Sequence, residues 1–210
     1  MSGDKVKMAI NVFEKILKNV LAALYKPFWA AMLIAFLAMY LYLYCKQNKW
    51  KPVEVFKKSI ELWVKSFKED IKFRKIFLLT FYVAMILCRT MLYRDFWTNP
   101  LSDSMGGWGF KDAKGQLTTE SIENIMLFIP FIMLVLWIFQ KELLGENHRF
   151  INTVWVATST VGVISLIIEF SQLLFHLGTF QISDLVYNTL GGTVGGVIYY
   201  IIYKIRHRNE

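Results

Sequence analysis

Cysteine and histidine are scarce in this chain, and their scarcity limits its chemistry. Only 2 cysteines and 3 histidines occur among 210 residues. Cys45 and Cys88 lie in apolar blocks, at opposite ends of neighbouring predicted helices, whereas a disulfide requires Cα atoms within about 4.4–6.8 Å. His148, His176 and His207 are scattered, without the spacing of metal ligands. We therefore expect no disulfide, no metal site and no other cofactor.

Several sequence signals of enzymes, transporters and secreted proteins are also missing. We find no nucleophile paired with a base and no glycine loop that could cradle a phosphate. No internal repeat is visible, which argues against the common transporter plans. Charges at Glu14, Lys15 and Lys18 interrupt any early apolar run, so a signal peptide is not expected.

Hydrophobic residues, in contrast, are abundant and grouped in blocks. They make up 55% of the chain, whereas soluble proteins have about 45–50% apolar residues even when glycine is counted. A membrane-spanning helix needs about 20 predominantly apolar residues. The sequence predicts five such spans, at Pro27–Cys45, Ile76–Tyr93, Asn124–Gln140, about Phe150 to Phe175, and Leu185–Tyr203.

Two further segments, residues 5–24 and 53–73, have apolar residues at helical spacing and lysines on the opposite face. Burying these charges in a bilayer is costly, so both helices should lie in the membrane interface. The predicted fold class is an all-α integral membrane protein with five transmembrane helices plus two interfacial amphipathic helices. We divide it into residues 1–75, with both amphipathic helices and the first span, and residues 76–210, a four-helix membrane domain.

Polar residues concentrate in residues 165–196, around the turn between the last two spans. Glu169 and Gln172 are three apart, and Asp184 and Asn188 are four apart, so each pair shares a helix face. The turn between them is short, so the two faces can meet at one membrane surface. Ser183 or Asp184 is expected to cap the last helix. Carboxylates and amides in a membrane usually face the protein interior.

The same helix carries two overlapping pairs of small residues, in the sequence Gly191-Gly192-x-x-Gly195-Gly196. Small residues four apart allow another helix to pack closely. We expect Gly192 and Gly195 to share a face that a neighbouring span approaches.

These motifs resemble those of a known family. The sequence E-F-S-Q, a turn and then D-L-V-Y-N-T-L-G-G resembles the C-terminal signature of VanZ-like membrane proteins, and E-N-I-M-L-F-I-P-F at Glu123–Phe131 resembles their other signature. The resemblance is firm from about Arg89 to Gly196 and weak over the first seventy residues. Many relatives carry two acidic residues before the last helix, whereas the first is Ser183 here. The resemblance implies that residues 76–210 form a VanZ-like domain in the bacterial cell membrane, spanning it several times.

The candidate ligand-binding residues all fall at the outer ends of the predicted helices. Arg89, inside the second span, either snorkels to the surface or pairs with Glu169 or Asp184. Asn124 either caps the third span or joins the cluster. The predicted set is Arg89, Arg94, Asn124, Glu169, Gln172, Asp184 and Asn188.

Three functions could use such a cluster, besides a purely structural network. VanZ-like proteins are associated with resistance to lipoglycopeptide antibiotics such as teicoplanin, so the resemblance implies binding of a lipoglycopeptide or a lipid-linked cell-wall precursor among membrane lipids. The alternative is a membrane enzyme acting on a lipid-linked phosphate, for which no catalytic residue can be assigned. A transporter or channel is the third. Nucleic acid is not an expected partner, because the net charge of +8 lies mostly in one loop.

Residues 95–120 form a long polar segment between the second and third spans. Loops of this length in compact proteins often act as lids or binding loops. Trp97, Trp108 and Phe110 are expected either to rest on lipid headgroups or to touch a ligand.

Charge asymmetry predicts the orientation of the spans. Of the 24 Lys and Arg residues, ten lie at 46–75, two at 140–149 and three after the last span, all on one side, against nine on the other. Positively charged loops stay in the cytoplasm. The N-terminus and the polar cluster are therefore expected to face outward.

This orientation can be tested by labelling engineered cysteines from outside intact cells, with Cys45 and Cys88 replaced by alanine. Ser104→Cys should react with an impermeant reagent, whereas Asn209→Cys should not. Labelling at position 209 alone would reverse the orientation and move the polar cluster to the cytoplasmic side.

Overall fold

A computed structural model describes residues 2–47, 55–109, 118–145 and 148–207. These residues form helices and no β-strand, apart from an isolated antiparallel bridge between Phe96 and Leu177. A π-helical turn at Cys88–Leu92 directly follows the fourth α-helix. The α-helices are α1 Ser2–Tyr25, α2 Phe28–Gln47, α3 Val55–Glu69, α4 Ile71–Leu87, α5 Glu120–Ile138, α6 Gln140–Leu144, α7 Phe150–Phe175 and α8 Ile182–Arg206.

Five segments are long and apolar enough to cross a membrane, which confirms the predicted all-α fold class with five spans. The first differs from its predicted limits. The apolar segment runs from Ile10 to Cys45 and includes most of α1, with only a turn at Lys26 and Pro27 before α2. The apolar stripe of α1, which includes Phe13 and Leu17, is exposed. Its position in the membrane interface stays a prediction.

The predicted amphipathic helix over residues 53–73 is wrong at its C-terminal end. The helix α3 ends at Glu69, and α4 begins at Ile71, five residues before the predicted second span. Asp70 lies between them in an extended conformation, and its carboxylate accepts hydrogen bonds from the N–H groups of Lys72, at 2.8 Å, and Phe73, at 3.2 Å. Such an N-cap satisfies amides that have no partner within the helix, so it starts a new helix here.

The predicted third span, Asn124–Gln140, is shifted toward the N-terminus. The helix α5 begins at Glu120, and its first turn contains Glu120 and Glu123. Negative side chains are favourable there, because the helix dipole is positive at its N-terminus. The short helix α6 follows within the segment that was predicted as a loop.

At the centre of the bundle, α8 packs between α5 and α7 through its glycines. A Cβ atom on Gly195 would lie 2.8 Å from the carbonyl oxygen of Ile129 in α5, whereas one on Gly196 would lie 2.6 Å from the Cβ of Ala157 in α7. Gly191 likewise faces α5, and Gly192 faces α7. The pair Gly191 and Gly195 packs against α5, whereas the pair Gly192 and Gly196 packs against α7. The expectation that Gly192 and Gly195 share a face approached by one span is therefore wrong.

A second, aromatic cluster holds α3 against α2 and α4. The ring of Trp63 in α3 lies 4.6 Å from that of Phe36 in α2 and 5.5 Å from that of Phe77 in α4, between ring centroids. Met39, Leu43 and Phe73 complete the buried part of this cluster. It lies apart from the polar residues described below.

The glycine contacts predict a sharp difference between two Gly→Ala substitutions. Gly191→Ala should lower the thermal unfolding temperature in detergent, because the new methyl group meets the backbone carbonyl of Ile125. Overpacking of this kind costs about 1–3 kcal/mol. Gly162→Ala in α7 is the control, since its nearest neighbour is 3.6 Å away and the gain in helix propensity is the same. Equal unfolding temperatures in the two variants would contradict the packing of α8 against α5.

Candidate functional site

A cavity of about 530 Å³ opens at the end of the bundle where α1, α4 and α7 end and α5 and α8 begin. The structure brings all seven predicted site residues into its wall. Leu127, Phe128 and Ile168 form an apolar part of the same wall. The charged lining residues are Lys26, Arg89, Arg94, Glu120, Glu123, Glu169 and Asp184.

Arg89 lies in the π-helical turn, and Arg94 follows two residues after its end. In this turn the N–H of Tyr93 donates to the carbonyl of Cys88 at 2.9 Å, five residues back instead of the four of an α-helix. Such turns are frequent at functional sites.

Each arginine is paired with a carboxylate, although the pairing of Arg89 differs from the expectation. Arg89 Nη2 lies 2.8 Å from Glu123 Oε2, so the predicted partners, Glu169 and Asp184, are wrong. The snorkelling alternative is also wrong, since the side chain of Arg89 is only 21% exposed. Arg94 Nη2 lies 3.4 Å from Asp184 Oδ2, and its side chain is 36% exposed.

Asp184 connects α8 to α5 as well as to Arg94. Asn124 Nδ2 donates to Asp184 Oδ1 at 2.8 Å, so Asn124 joins the cluster and does not begin its helix. The predicted capping of α8 by Ser183 or Asp184 is wrong. The N-cap residue is Gln181, and its side chain makes no capping hydrogen bond.

Glu169 fixes the turn between α7 and α8. Its Oε2 accepts a hydrogen bond from the backbone N–H of Gln181 at 2.8 Å. The residue is only 1% exposed, and no ion pair with it occurs in the described parts of the chain. A buried carboxylate without a cation is costly. This distinguishes Glu169 from Glu123 and Asp184, which are each paired with an arginine.

Two further cavity-lining side chains are buried amides, and the oxygen of each has no hydrogen-bond partner within the described residues. Gln172, 1% exposed, donates from Nε2 to the carbonyl of Thr90 at 2.7 Å, and Asn188, 4% exposed, donates from Nδ2 to Ser165 Oγ at 2.9 Å. Within the described residues, neither Gln172 Oε1 nor Asn188 Oδ1 has a hydrogen-bond partner. Buried polar atoms rarely lack partners, so both oxygens require an explanation.

Sequence reasoning missed several residues of the cavity wall. Glu123 accepts from Thr119 Oγ1 at 2.6 Å as well as from Arg89, and Thr119 in turn accepts from Asn19 of α1 at 2.6 Å. Glu123 could have been found as an acidic residue beside Asn124 at the start of a span. Asn19 and Lys26 could not, because nothing in the sequence places the end of α1 near α5.

The loop after α4 is attached to the turn between α7 and α8. The backbone N–H groups of Trp97, Gly178, Phe180 and Ile182 each bond across the two segments, at 2.8–3.0 Å. Trp97 and Trp108 are exposed and do not line the cavity. Their contact with lipid headgroups or with a ligand stays a prediction. Phe110 and residues 111–117 lie outside the described residues.

The charged and hydrogen-bonding side chains of this cavity suit recognition of a polar group. In the described parts of the chain, no group of three or more His, Cys, Asp or Glu residues is placed to hold a metal ion. The cavity combines two ion pairs, one carboxylate without a cation and two unpartnered amide oxygens beside apolar side chains. Such an arrangement can hold a headgroup and the start of an acyl chain together.

Five apolar helical segments around a buried polar cavity define a multi-pass membrane protein. Comparison with known proteins specifies its family. The family model described as VanZ/LLP1 matches residues 7–203, and the chain belongs to this family. It is 33% identical over 91 residues to Protein VanZ of Enterococcus faecium, an alignment that covers 43% of this chain and 49% of that protein. The chain thus spans about half the length of that curated relative, and no solved structure matches it.

The pairing of Arg89 with Glu123 can be measured by a double-mutant cycle. Arg89→Met and Glu123→Gln should each destabilise the protein in detergent, because each leaves a half-buried charge or donor without its partner. The double variant should recover part of the loss, with a coupling of about 0.5–3 kcal/mol. Arg89→Met combined with Asp184→Asn is the control and should couple less. Stronger coupling to Asp184 would contradict the observed ion pairs.

Proposed function

We propose that this protein protects a bacterium against lipoglycopeptide antibiotics of the teicoplanin type. In this proposal the cavity faces outward from the cell membrane and binds an amphiphilic ligand, either the drug or a lipid-linked cell-wall precursor. The single observation that carries the proposal is the cavity itself. The chain belongs to the VanZ/LLP1 family. Seven polar residues, which lie within its sequence signatures or next to them, line one cavity together with apolar side chains.

The shape of the cavity wall supports an amphiphilic ligand. The wall contains carboxylates, amides and guanidinium groups together with the apolar side chains of Leu127, Phe128 and Ile168. Large apolar residues on the outer surface of the bundle, such as Leu33 and Leu174, suit contact with lipid. A headgroup could therefore bind among the polar groups while its acyl chain lies along apolar side chains.

The relation to Protein VanZ supports the same proposal, although the aligned stretch is only 91 residues. The alternative, an enzyme acting on a lipid-linked phosphate, has less support. Arginine binds phosphate well because its planar group matches two phosphate oxygens. Here Arg89 is engaged by Glu123 at 2.8 Å, so only Arg94 has donors left for a phosphate, and the sequence offers no nucleophile paired with a base.

Expression in a susceptible Gram-positive host tests the proposal. The wild-type protein should raise the inhibitory concentration of an acylated glycopeptide more than that of one without an acyl chain, because membrane helices can contact an acyl chain. Glu169→Gln, Asp184→Asn and Asn188→Ala should each reduce this protection at equal protein level, since each removes a polar group from the cavity wall.

Ser171→Ala is the matched control for these variants. Ser171 is adjacent to Gln172 in α7, but its hydroxyl donates to the carbonyl of Ile167 within its own helix, and it is absent from the cavity wall. Its protection should equal that of the wild type. If all three cavity variants protect equally well, the cluster is a structural network. Equal tolerance to both drug types would exclude recognition of the acyl chain.

A further inference from the structure

We infer that the deep end of the cavity binds a primary ammonium group, and that the ligand is a zwitterion in which a phosphate follows this group, as in a phosphoethanolamine headgroup. This inference rests on the proposed binding function of the same cavity and specifies its ligand.

Two buried side-chain oxygens of the cavity-lining residues have no hydrogen-bond partner within the described residues. Gln172 donates to a backbone carbonyl, which can only accept, so its amide nitrogen must face Thr90 and its oxygen faces away. That oxygen and Asn188 Oδ1 have no partner within the described residues. Glu169, beside them, is also an acceptor once ionised, and it receives the backbone N–H of Gln181. A ligand group at this depth must therefore donate hydrogen bonds.

Charge favours a cationic donor over a neutral one. The guanidinium groups of Arg89 and Arg94 are paired with Glu123 and Asp184, which leaves Glu169 without an ion pair in the part of the chain that the structure describes. A buried carboxylate is stabilised by a cation that also hydrogen-bonds to it. An ammonium group brings one positive charge and three N–H donors, which match Glu169 and the two amide oxygens.

The more exposed part of the cavity wall carries two cationic side chains beside the exposed carboxylate of Glu120. Lys26 lines it from an exposed position at the end of α1, and the side chain of Arg94 is 36% exposed. Arginine has five N–H donors, and Arg94 uses only part of them on Asp184, where the contact is 3.4 Å long. Cationic donors near the opening and acceptors at depth suit a ligand whose ammonium enters first and whose phosphate follows.

Three lipids with identical acyl chains separate these contributions in purified protein in detergent. Phosphatidylethanolamine has an ammonium with N–H donors, phosphatidylcholine keeps the positive charge but has no such donors, and phosphatidylglycerol has neither. The apparent affinity, obtained from the thermal unfolding temperature at increasing lipid concentration, should be highest for phosphatidylethanolamine. The preference over phosphatidylcholine should be about tenfold or more, the value of one hydrogen bond to a charged group.

Variants link this preference to the cavity. Glu169→Gln should reduce the preference for phosphatidylethanolamine without abolishing it, because the oxygens of Gln172 and Asn188 remain, while Ser171→Ala should retain it in full. If the Glu169→Gln variant does not fold, the relative affinities of the wild-type protein for the three lipids test the inference without it. Soluble phosphoethanolamine without acyl chains distinguishes the source of the ammonium. Binding as strong as that of the lipid would indicate a free metabolite, and weaker binding a membrane lipid.

Equal affinity for the three lipids, or a preference that Glu169→Gln leaves unchanged, would overturn the inference. Neither result would affect the proposed function, because drug tolerance is measured separately with the same variants. Tolerance that depends on the cavity, without any preference for an ammonium lipid, would retain the proposed function alone. An ammonium preference without drug tolerance would retain the lipid site and reject the role in resistance.

Discussion

Helix α8 touches α5 and α7 through glycines, and the positions of the polar groups in the cavity follow from these contacts. Without Cβ atoms in the way, the three helices approach closely along their length. Their ends are then near enough for hydrogen bonds that join different helices, or a helix to the turn beside it. These bonds are Asn124 to Asp184 at 2.8 Å, Asn188 to Ser165 at 2.9 Å and the backbone of Gln181 to Glu169 at 2.8 Å.

The sequence was sufficient to bring seven polar residues together at one end of the bundle. Spacings of three and four residues placed Glu169 with Gln172 and Asp184 with Asn188, because helix geometry is independent of the surrounding protein. Alternation of the spans then placed Arg89 and Asn124 at the same end of the bundle. The five apolar blocks and the all-helical class were equally accessible, since block length and composition depend only on the thickness of the membrane.

The partners within the cavity were not predictable in the same way. Which carboxylate meets Arg89 depends on how far α4 is rotated against α5, and a π-helical turn changes that rotation without an obvious mark in the sequence. The boundary at Asp70 was missed because the apolar periodicity continues across it, whereas the break comes from hydrogen bonds of one carboxylate. The glycine pairs were recognised, but their division between α5 and α7 required the structure.

The pairing of the arginines also determines how a ligand would find the cavity. The ion pairs of Arg89 with Glu123 and of Arg94 with Asp184 act as short dipoles, whose potential falls off faster than that of isolated charges. These two pairs therefore add little to long-range electrostatic steering, which accelerates encounters from solution and weakens as ionic strength rises. For the lipid ligand that we propose, arrival would be by diffusion in the plane of the membrane, and the rate of capture would depend on its surface density in the lipid.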